Sequence, residues 1–340
     1  MPRGWTVSVH QKGAISLSDA VICDGFLSSA EIRVQTHTHR DHRDGFASSK
    51  GCSDIVSLCG TRDLLVAEIN DDLKYRTNFM AVEPGQEIPT PDGTLTLFPS
   101  GHMLGSSQVM LEHADGYRTG YSGDFAWPIT PIEVDELVLD GTSAPATVRN
   151  YSQEAAEQAF LDVTLEAVRR GPVFVWADSE TMYRAITALA TCPDWPIIVD
   201  SRGMAVSEVY ASYGSPVPQL FEDGGEEAQE VKGNGRYVLF RTKGSKSEYD
   251  ESGTYVSLIP FYTTPDNPVA QLSENHFQVG ISNHADFEET LSYVEATGAQ
   301  RVLVDNVRGR RAAELAVAVG ERLWIETSHE VTMSDGGWGS

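Results

Sequence analysis

Three histidines and one aspartate fall within the six residues His37 to His42, in the stretch THTHRDH. Imidazole nitrogens and carboxylate oxygens are the usual ligands of zinc and related divalent ions. The stretch follows EIRVQ, which reads as a strand. Alternate side chains of an extended chain share a face, so His37 and His39 can point to one place. Asp41 and His42 follow where the chain must turn. A strand-end loop of this kind can hold two ligand clusters, His37 with His39 and Asp41 with His42. A solvated polar loop accounts readily for one histidine of the chain's nine, and poorly for H-x-H-x-D-H.

This pattern predicts more ligands at other strand ends. TLTLFPSGHMLGSS sets His102 directly after an apolar run, with Gly101 and Gly105 leaving room for the close approach of an ion. YRTGYSGDFAW sets Asp124 just after another apolar run. Taken singly, these are a structural histidine and a turn aspartate. In this order they complete a set.

The elements that must carry the set are short. AVICDGF, EIRVQTHTH, DIVSLCG, TLTLFPSGH, SQVMLEH, YRTGYSGDF and DELVLDGT each hold β-branched or aromatic residues bounded by Gly, Pro, Asp or Ser, so the first 150 residues read as strands. One helix is predicted over Thr61 to Leu73. From Ser152 the period changes. SQEAAEQAFLDVTLEAVRR has helical spacing, a Ser N-cap and Gly171-Pro172 to stop it. VFVWAD and PIIVD read as strands with the helix TMYRAITALA between them, and this alternation predicts a parallel sheet in an α/β protein. Residues 211 to 255 read as loops with weak strands. HFQVGISNH and RVLVDN are then strands, and FEETLSYVEATG and RRAAELAVAVGERL helices.

The chain has 340 residues, 41% hydrophobic and 22% charged, the composition of a soluble globular protein of one or two domains. No run of eighteen apolar residues is present, which predicts no membrane span. MPRGWTVSVHQKGAISL lacks an apolar core with a cleavage site, and the scattered Cys23, Cys52, Cys59 and Cys192 suggest no disulfide framework. A cytoplasmic protein is the expectation. Net charge is −24, from 49 acids against 25 bases, and 19 of the bases are Arg. Spread along the whole chain, this acidity reads as a halophilic surface, on which repulsion is screened within a few ångströms; the competing reading is a ligand that is not a nucleic acid.

H-x-H-x-D-H, a lone His in GHMLGS and Asp in SGDF together resemble the metallo-β-lactamase fold. VLDGTS with Asp140 and ISNHADF with His284 resemble the motifs of its β-CASP branch. That branch includes the cleavage and polyadenylation specificity factor nuclease, ribonuclease J and the DNA cross-link repair exonucleases, all hydrolases of phosphodiesters. The resemblance covers residues 30 to 150 and 270 to 310 by motif, and 151 to 270 by position alone. It implies an α/β protein: a four-layer αβ/βα sandwich from residues 1–150 and 271–340, with a β-CASP-like α/β cap inserted at 151–270. It implies that His37, His39 and His102 hold one metal ion, that Asp41 and His42 hold another, and that Asp124 bridges them. Zinc is the expected ion, one or two per chain, with manganese as the alternative. Asp41 and the ions would activate water, His284 would protonate the leaving oxygen as general acid, and Asp140 would orient an imidazole, that of His284.

The sequence departs from this family in two places. RNA-cleaving members carry a further histidine after the strand matched here by RVLVDNVRG, and that position is held by Asp305 or Asn306. Asp305 can supply an oxygen ligand instead. In the DNA repair branch the position is a valine and the second metal is weakly held or absent. The cap is also short for the family. Within it, KGNGRYVLFRTKGSK holds Lys232, Arg236, Arg241, Lys243 and Lys246, with Tyr237 and Phe240 interleaved, a candidate for backbone contact and base stacking. Arg40 and Arg43 lie beside the proposed metals, where a phosphate would sit, while the bases around Arg308 and Arg311 read as the start of a solvated helix. The reading is a metal-dependent exo- or endonuclease acting on RNA or single-stranded DNA, compatible with a homodimer. Its rivals are a hydrolase of small esters or thioesters and a non-catalytic scaffold subunit of the same fold.

Overall fold

The computed structural model describes residues 5–69, 72–142, 146–147, 150–192, 195–242, 252–260, 267–308 and 311–332. Its chain divides into two compact units, residues 1–146 with 284–340, and residues 147–283.

The first unit opens with six strands, β1 (Ser8–Val9), β2 (Ile15–Ser16), β3 (Val21–Cys23), β4 (Ile32–Val34), β5 (Asp54–Leu58) and β6 (Phe79–Val82), joined side by side in that order. Helices α1 (Phe46–Cys52) and α2 (Cys59–Ile69) lie between β4 and β6 in sequence. The second helix stops short of its predicted end, and a 3₁₀ turn at Asp72–Tyr75 follows. Strands β7 (Glu87–Thr90), β8 (Gly93–Pro99), β9 (Ser107–His113), β10 (Arg118–Tyr121) and β11 (Glu136–Leu139) begin a second sheet.

The inserted unit carries α3 (Gln153–Val168), β12 (Val173–Ala177), α4 (Ser179–Leu189), β13 (Ile197–Val199), α5 (Ser201–Ser212), β14 (Leu220–Glu222), α6 (Glu226–Gly233), β15 (Val238–Thr242), β16 (Thr254–Ile259), β17 (Val269–Ser273) and β18 (His276–Gly280). Its sheet runs β14-β13-β15-β12-β16-β18-β17, parallel except for the β17 edge. Ser152 caps α3 as predicted, its Oγ accepting the Ala155 N–H at 3.1 Å. The chain then returns to the first unit through α7 (Phe287–Thr297), β19 (Arg301–Val304), α8 (Ala312–Leu323) and β20 (Glu326–Ser328), and the second sheet closes as β20-β19-β11-β10-β9-β8-β7. The sequence reading ends the insertion at residue 270. The structure carries it to Asn283, because β18 runs in parallel register with β16 from Tyr255↔His276 to Ile259↔Gly280.

Period-two patterning sets the layers of the first unit. Val138 and Leu303 point into one core with Val34, Val56 and Leu97, between the two sheets. Their neighbours Leu137, Leu139, Val302 and Val304 point the other way, onto Phe287 and Leu291 of α7 and Leu315 and Val319 of α8. On the far side, Ile55 and Phe79 pack with Leu65 of α2. Helix, sheet, sheet, helix is therefore the layer order, and β11 and β19 are buried on both faces, as continuous apolar runs require. No helix among the described residues is long and apolar enough to cross a membrane.

The stretch 211–255 is more regular than expected. α6 was hidden because only Ala228 of its residues is buried, so it shows no apolar period. β15 is a central strand with Val238, Leu239 and Phe240 in the core. Tyr237 is buried beside them. Neither Tyr237 nor Phe240 is exposed enough to stack a base, and the expectation of base stacking by this segment is corrected.

One buried carboxylate ties the amino-terminal segment to the second sheet. Glu136 accepts the Thr6 and Val7 N–H groups at 2.7 and 2.8 Å, and the Tyr117 hydroxyl and Arg301 Nη1 both at 3.0 Å. Replacing one member of a buried pair strands the others. Glu136→Ala is expected to lower the unfolding free energy by about 3–5 kcal/mol in a urea titration; a loss below about 1 kcal/mol would mean that the network adds little.

Candidate metal centre

Apart from Asp41 and His42, every residue singled out as a ligand lies just past a strand. His37 and His39 follow β4, His102 follows β8, Asp124 follows β10, Asp140 follows β11 and Asp305 follows β19. β10, β11 and β19 are mutually parallel, and β8 runs the same way through β9, so one edge of the second sheet collects their ends. His42 lies in a 3₁₀ turn, Arg40–His42, after β4. His284 precedes α7, whose Asp286 and Glu289 form a reciprocal cap.

The strand EIRVQ fixes the loop. Ile32 and Val34 face the core, so Arg33 and Gln35 face the other way, and both are fully buried. Buried donors must be satisfied. Arg33 gives Nη2–H to the His42 carbonyl at 2.9 Å and Nη1–H to the Asp44 carbonyl at 2.9 Å. Gln35 Nε2 donates to the His37 carbonyl at 2.8 Å and the His42 carbonyl at 3.1 Å. The polar alternation of the strand is thus spent on holding the ligand loop's backbone.

Around Asp124 the side chains converge. His37 Nε2, His39 Nδ1 and His102 Nε2 lie 3.5, 3.9 and 3.8 Å from Asp124 Oδ2, and His39 Nδ1 is 3.4 Å from His102 Nε2. A tetrahedral ion with bonds of about 2.0–2.2 Å spaces its donors about 3.3–3.6 Å apart. These four atoms fit such an ion after small closure. His42 Nε2 is 3.1 Å from Asp124 Oδ1 and 3.9 Å from Asp41 Oδ2. His284 Nδ1 is 4.0 Å from Asp124 Oδ2, and Asp124, Asp140 and His284 form a further close group.

Hydrogen-bond logic sets the tautomers. Thr36 Oγ1–H donates to Asp24 Oδ2 at 2.5 Å, so the same oxygen can accept the His37 Nδ1–H at 2.9 Å. His37 Nε2 then carries a lone pair, and it is buried without a hydrogen bond. A buried lone pair aimed at a carboxylate is what a cation would satisfy. His42 Nδ1 is 2.8 Å from Asp24 Oδ2, which leaves Nε2 facing Asp124.

Electrostatics agree. Burial, followed by the charge on His42, pushes the His37 imidazole well below its ordinary value. Burial also opposes charge on His42, but Asp124 and Asp24 outweigh it and raise its pKa to about 10. Asp124 is held well below the usual carboxylate range because His42 and His37 overcome its burial. Burial, and then the charge of Asp124, push Asp140 well above that range. A divalent cation beside Asp124 would reverse the sense at Asp140.

The remaining predicted residues fall elsewhere. Asp41 lies at the rim, its side chain 67% exposed, with Arg40 exposed and Arg43 half-buried beside it. Asp305 belongs to no group of converging donors among the described residues; its carboxylate meets Arg308 Nη1 at 2.8 Å. Arg241 pairs with Asp223 at 2.8 Å, which also meets Lys232. Lys243 and Lys246 lie outside the described residues.

Asp24 was missed. It has φ 52°, a conformation that Asp tolerates better than most side chains. Besides His42 and the Thr36 hydroxyl, its carboxylate accepts the Thr36 N–H at 2.9 Å. The available signal was that AVICDGF repeats the strand-Asp-Gly pattern of LVLDGT.

No family model matches the chain. It is 30% identical over 139 residues to the "Uncharacterized protein in lig 3'region" of Acidianus ambivalens, matching 40% of this chain and 99% of that protein. The chain belongs to that protein's family. It is 22% identical over 286 residues to a "Probable DNA ligase" of Opitutus terrae, 79% of this chain, and 24% identical over 207 residues to "RNase aCSPSF2" of Saccharolobus solfataricus, 56% of this chain. It spans only 26% of the ligase's length and 41% of the RNase's. Among solved structures, a protein of unknown function from Enterococcus faecalis superposes with a TM-score of 0.60 at 12% identity, over 88% of this chain and 79% of that one. That likeness concerns the fold alone.

Carboxylates that orient a ligating imidazole typically contribute 10–100-fold to metal affinity or activity. Asp24→Asn keeps the shape and the tolerance for positive φ. It is expected to weaken zinc binding by about 10- to 100-fold in competition with a chromophoric chelator. Unchanged affinity would assign Asp24 to the turn alone.

Proposed function

We propose that the chain is a metal-dependent phosphodiesterase acting on single-stranded DNA or RNA, of the metallo-β-lactamase fold and the β-CASP branch. The observation that carries this reading is the convergence of His37, His39, His102 and Asp124 with His284 beside them, the His102 and His284 rings 4.5 Å apart. The helix-sheet-sheet-helix order of the first unit supports the fold. The names of two relatives, an RNase and a probable DNA ligase, support a nucleic acid as substrate.

A metal ion held by these residues would supply Lewis-acid polarisation of a phosphoryl oxygen and a water activated at neutral pH. The chain's own side chains do the rest. His284, half-buried beside Asp124, would give a proton to the departing oxygen. Asp140 lies within reach of the same imidazole and sets its orientation. Arg40 and Arg43, next to the ligand turn, offer planar donor pairs to phosphate oxygens. Asp41, exposed at the rim 3.9 Å from His42 Nε2, would help to hold the attacking water.

The match to the Opitutus protein takes in most of this chain and about a quarter of a longer protein named for joining DNA. Single-stranded DNA is therefore the first substrate to test and RNA the second. Metal-loaded protein in high salt is expected to shorten an end-labelled strand. His284→Ala is expected to lower kcat by about 10²- to 10⁴-fold while metal content stays as in the wild type. If metal-loaded wild type leaves both polymers intact, the assignment fails.

A further inference from the structure

We propose that Arg308 is a positioning residue of the metal centre: a fixed internal cation that sets the Arg40–His42 turn and withdraws Asp305 from the ligand set. The inference rests on the metal-centre reading above.

Four of the five guanidinium N–H groups of Arg308 are engaged. Its side chain is 3% exposed, and Nη1 meets Asp305 Oδ2 at 2.8 Å. Nη2–H donates to the Gly13 carbonyl at 2.6 Å and the Asp24 carbonyl at 2.8 Å, and Nε–H donates to the Asp41 carbonyl at 3.2 Å. These partners come from segments 267 to 295 residues away in sequence. Two of them carry the site. Asp41 is within the ligand turn, and the Asp24 carboxylate holds His42 Nδ1. A shift of Arg308 therefore moves the His42 ring through Asp24 and the turn through Asp41.

Two further observations make the arrangement specific to arginine. Gly13 has φ 77°, and a Cβ there would lie 2.8 Å from Nη2, so the chain leaves out a side chain where the guanidinium sits. The donors also leave in three directions from one plane, which an ammonium on a flexible stem cannot reproduce. Asp305, for its part, is engaged through both oxygens. Oδ1 accepts the Val307 N–H at 2.8 Å, and Oδ2 is paired with Arg308. It acts as the anchor of the cation rather than as an oxygen ligand.

The test reads the centre directly. Cobalt-substituted wild type, Arg308→Lys and Asp305→Asn are compared by visible absorption, alongside zinc content and steady-state kinetics. Arg308→Lys is expected to shift the cobalt bands and lower kcat by about 10- to 100-fold, with KM little changed. Asp305→Asn is expected to do the same without losing an ion. Guanidinium at sub-denaturing concentration is expected to restore the spectrum of Arg308→Ala. Arg308→Lys with wild-type cobalt bands and reduced unfolding temperature alone would make Arg308 a structural brace and overturn the proposal. Loss of one ion in Asp305→Asn with Arg308→Lys unaffected would make Asp305 a ligand and overturn it equally. Spectra and metal content need no substrate. A protein that loads metal yet cleaves nothing would sink the proposed function and leave this inference standing.

Discussion

Asp124 is a carboxylate nearly out of water, and the candidate site is organised by the need to balance it. An uncompensated buried charge is among the costliest features that a fold can carry. Here five imidazoles approach within 3.1 to 4.0 Å of its oxygens. Imidazoles so close together cannot all be protonated, which is why burial and His42 depress His37 while Asp124 and Asp24 hold His42 charged. A cluster of this kind is poised for a cation that several neutral nitrogens and one carboxylate can share. The acids further out, Asp24 and Asp305, are each spoken for by hydrogen bonds from named partners, and this separates the inner donors from their supports.

The geometry follows from how the sheets meet. Parallel strands deliver their carboxyl ends to one edge, and loops at that edge are free to carry polar residues while the strands stay apolar. β11 and β19 are buried on both faces, so their polar groups stand at their ends: Glu136 and Arg301, paired with each other, at the start of each strand, and Asp140 and Asp305 just beyond the finish. β4 is the exception. One of its faces is polar, and Arg33 and Gln35 there serve the carbonyls of the ligand loop. These bonds add to the loop's own backbone pairs, such as His42 N–H to the His39 carbonyl, and hold the ligand set still.

How much of this was readable depended on whether the signal was local. The ligand loop, His102 and Asp124 stood out because polar residues interrupt apolar runs, and the flanking strands and the helices α3, α7 and α8 were marked by period and caps. β15 was misread because Gly and basic residues surround it, so its central position, set by pairing with β12 and β13, left no trace in its own composition. Asp24 passed as an ordinary strand-end turn. Arg308 read as the solvated start of a helix, since three of its four partners, Gly13, Asp24 and Asp41, lie in segments that only the tertiary fold brings near. A residue whose contacts are mostly distant leaves little sequence signature.

The charge of the whole chain bears on how a polyanion could be held. At net −24 the long-range field repels phosphate, so affinity cannot come from diffuse attraction as it does in basic nucleic-acid-binding proteins. It has to arise within a Debye length, from an ion at the centre and from arginines next to it. Nineteen Arg against six Lys fits that demand, because a guanidinium is weakly hydrated and pairs with phosphate through two directed bonds. Salt then acts on two terms of opposite sign. It screens the repulsion of the acidic surface, and it weakens the few arginine contacts to a strand. Since 49 acids face 25 bases over the whole chain, the first term dominates, and raising ionic strength should help a strand approach this site where it would hinder a basic nuclease.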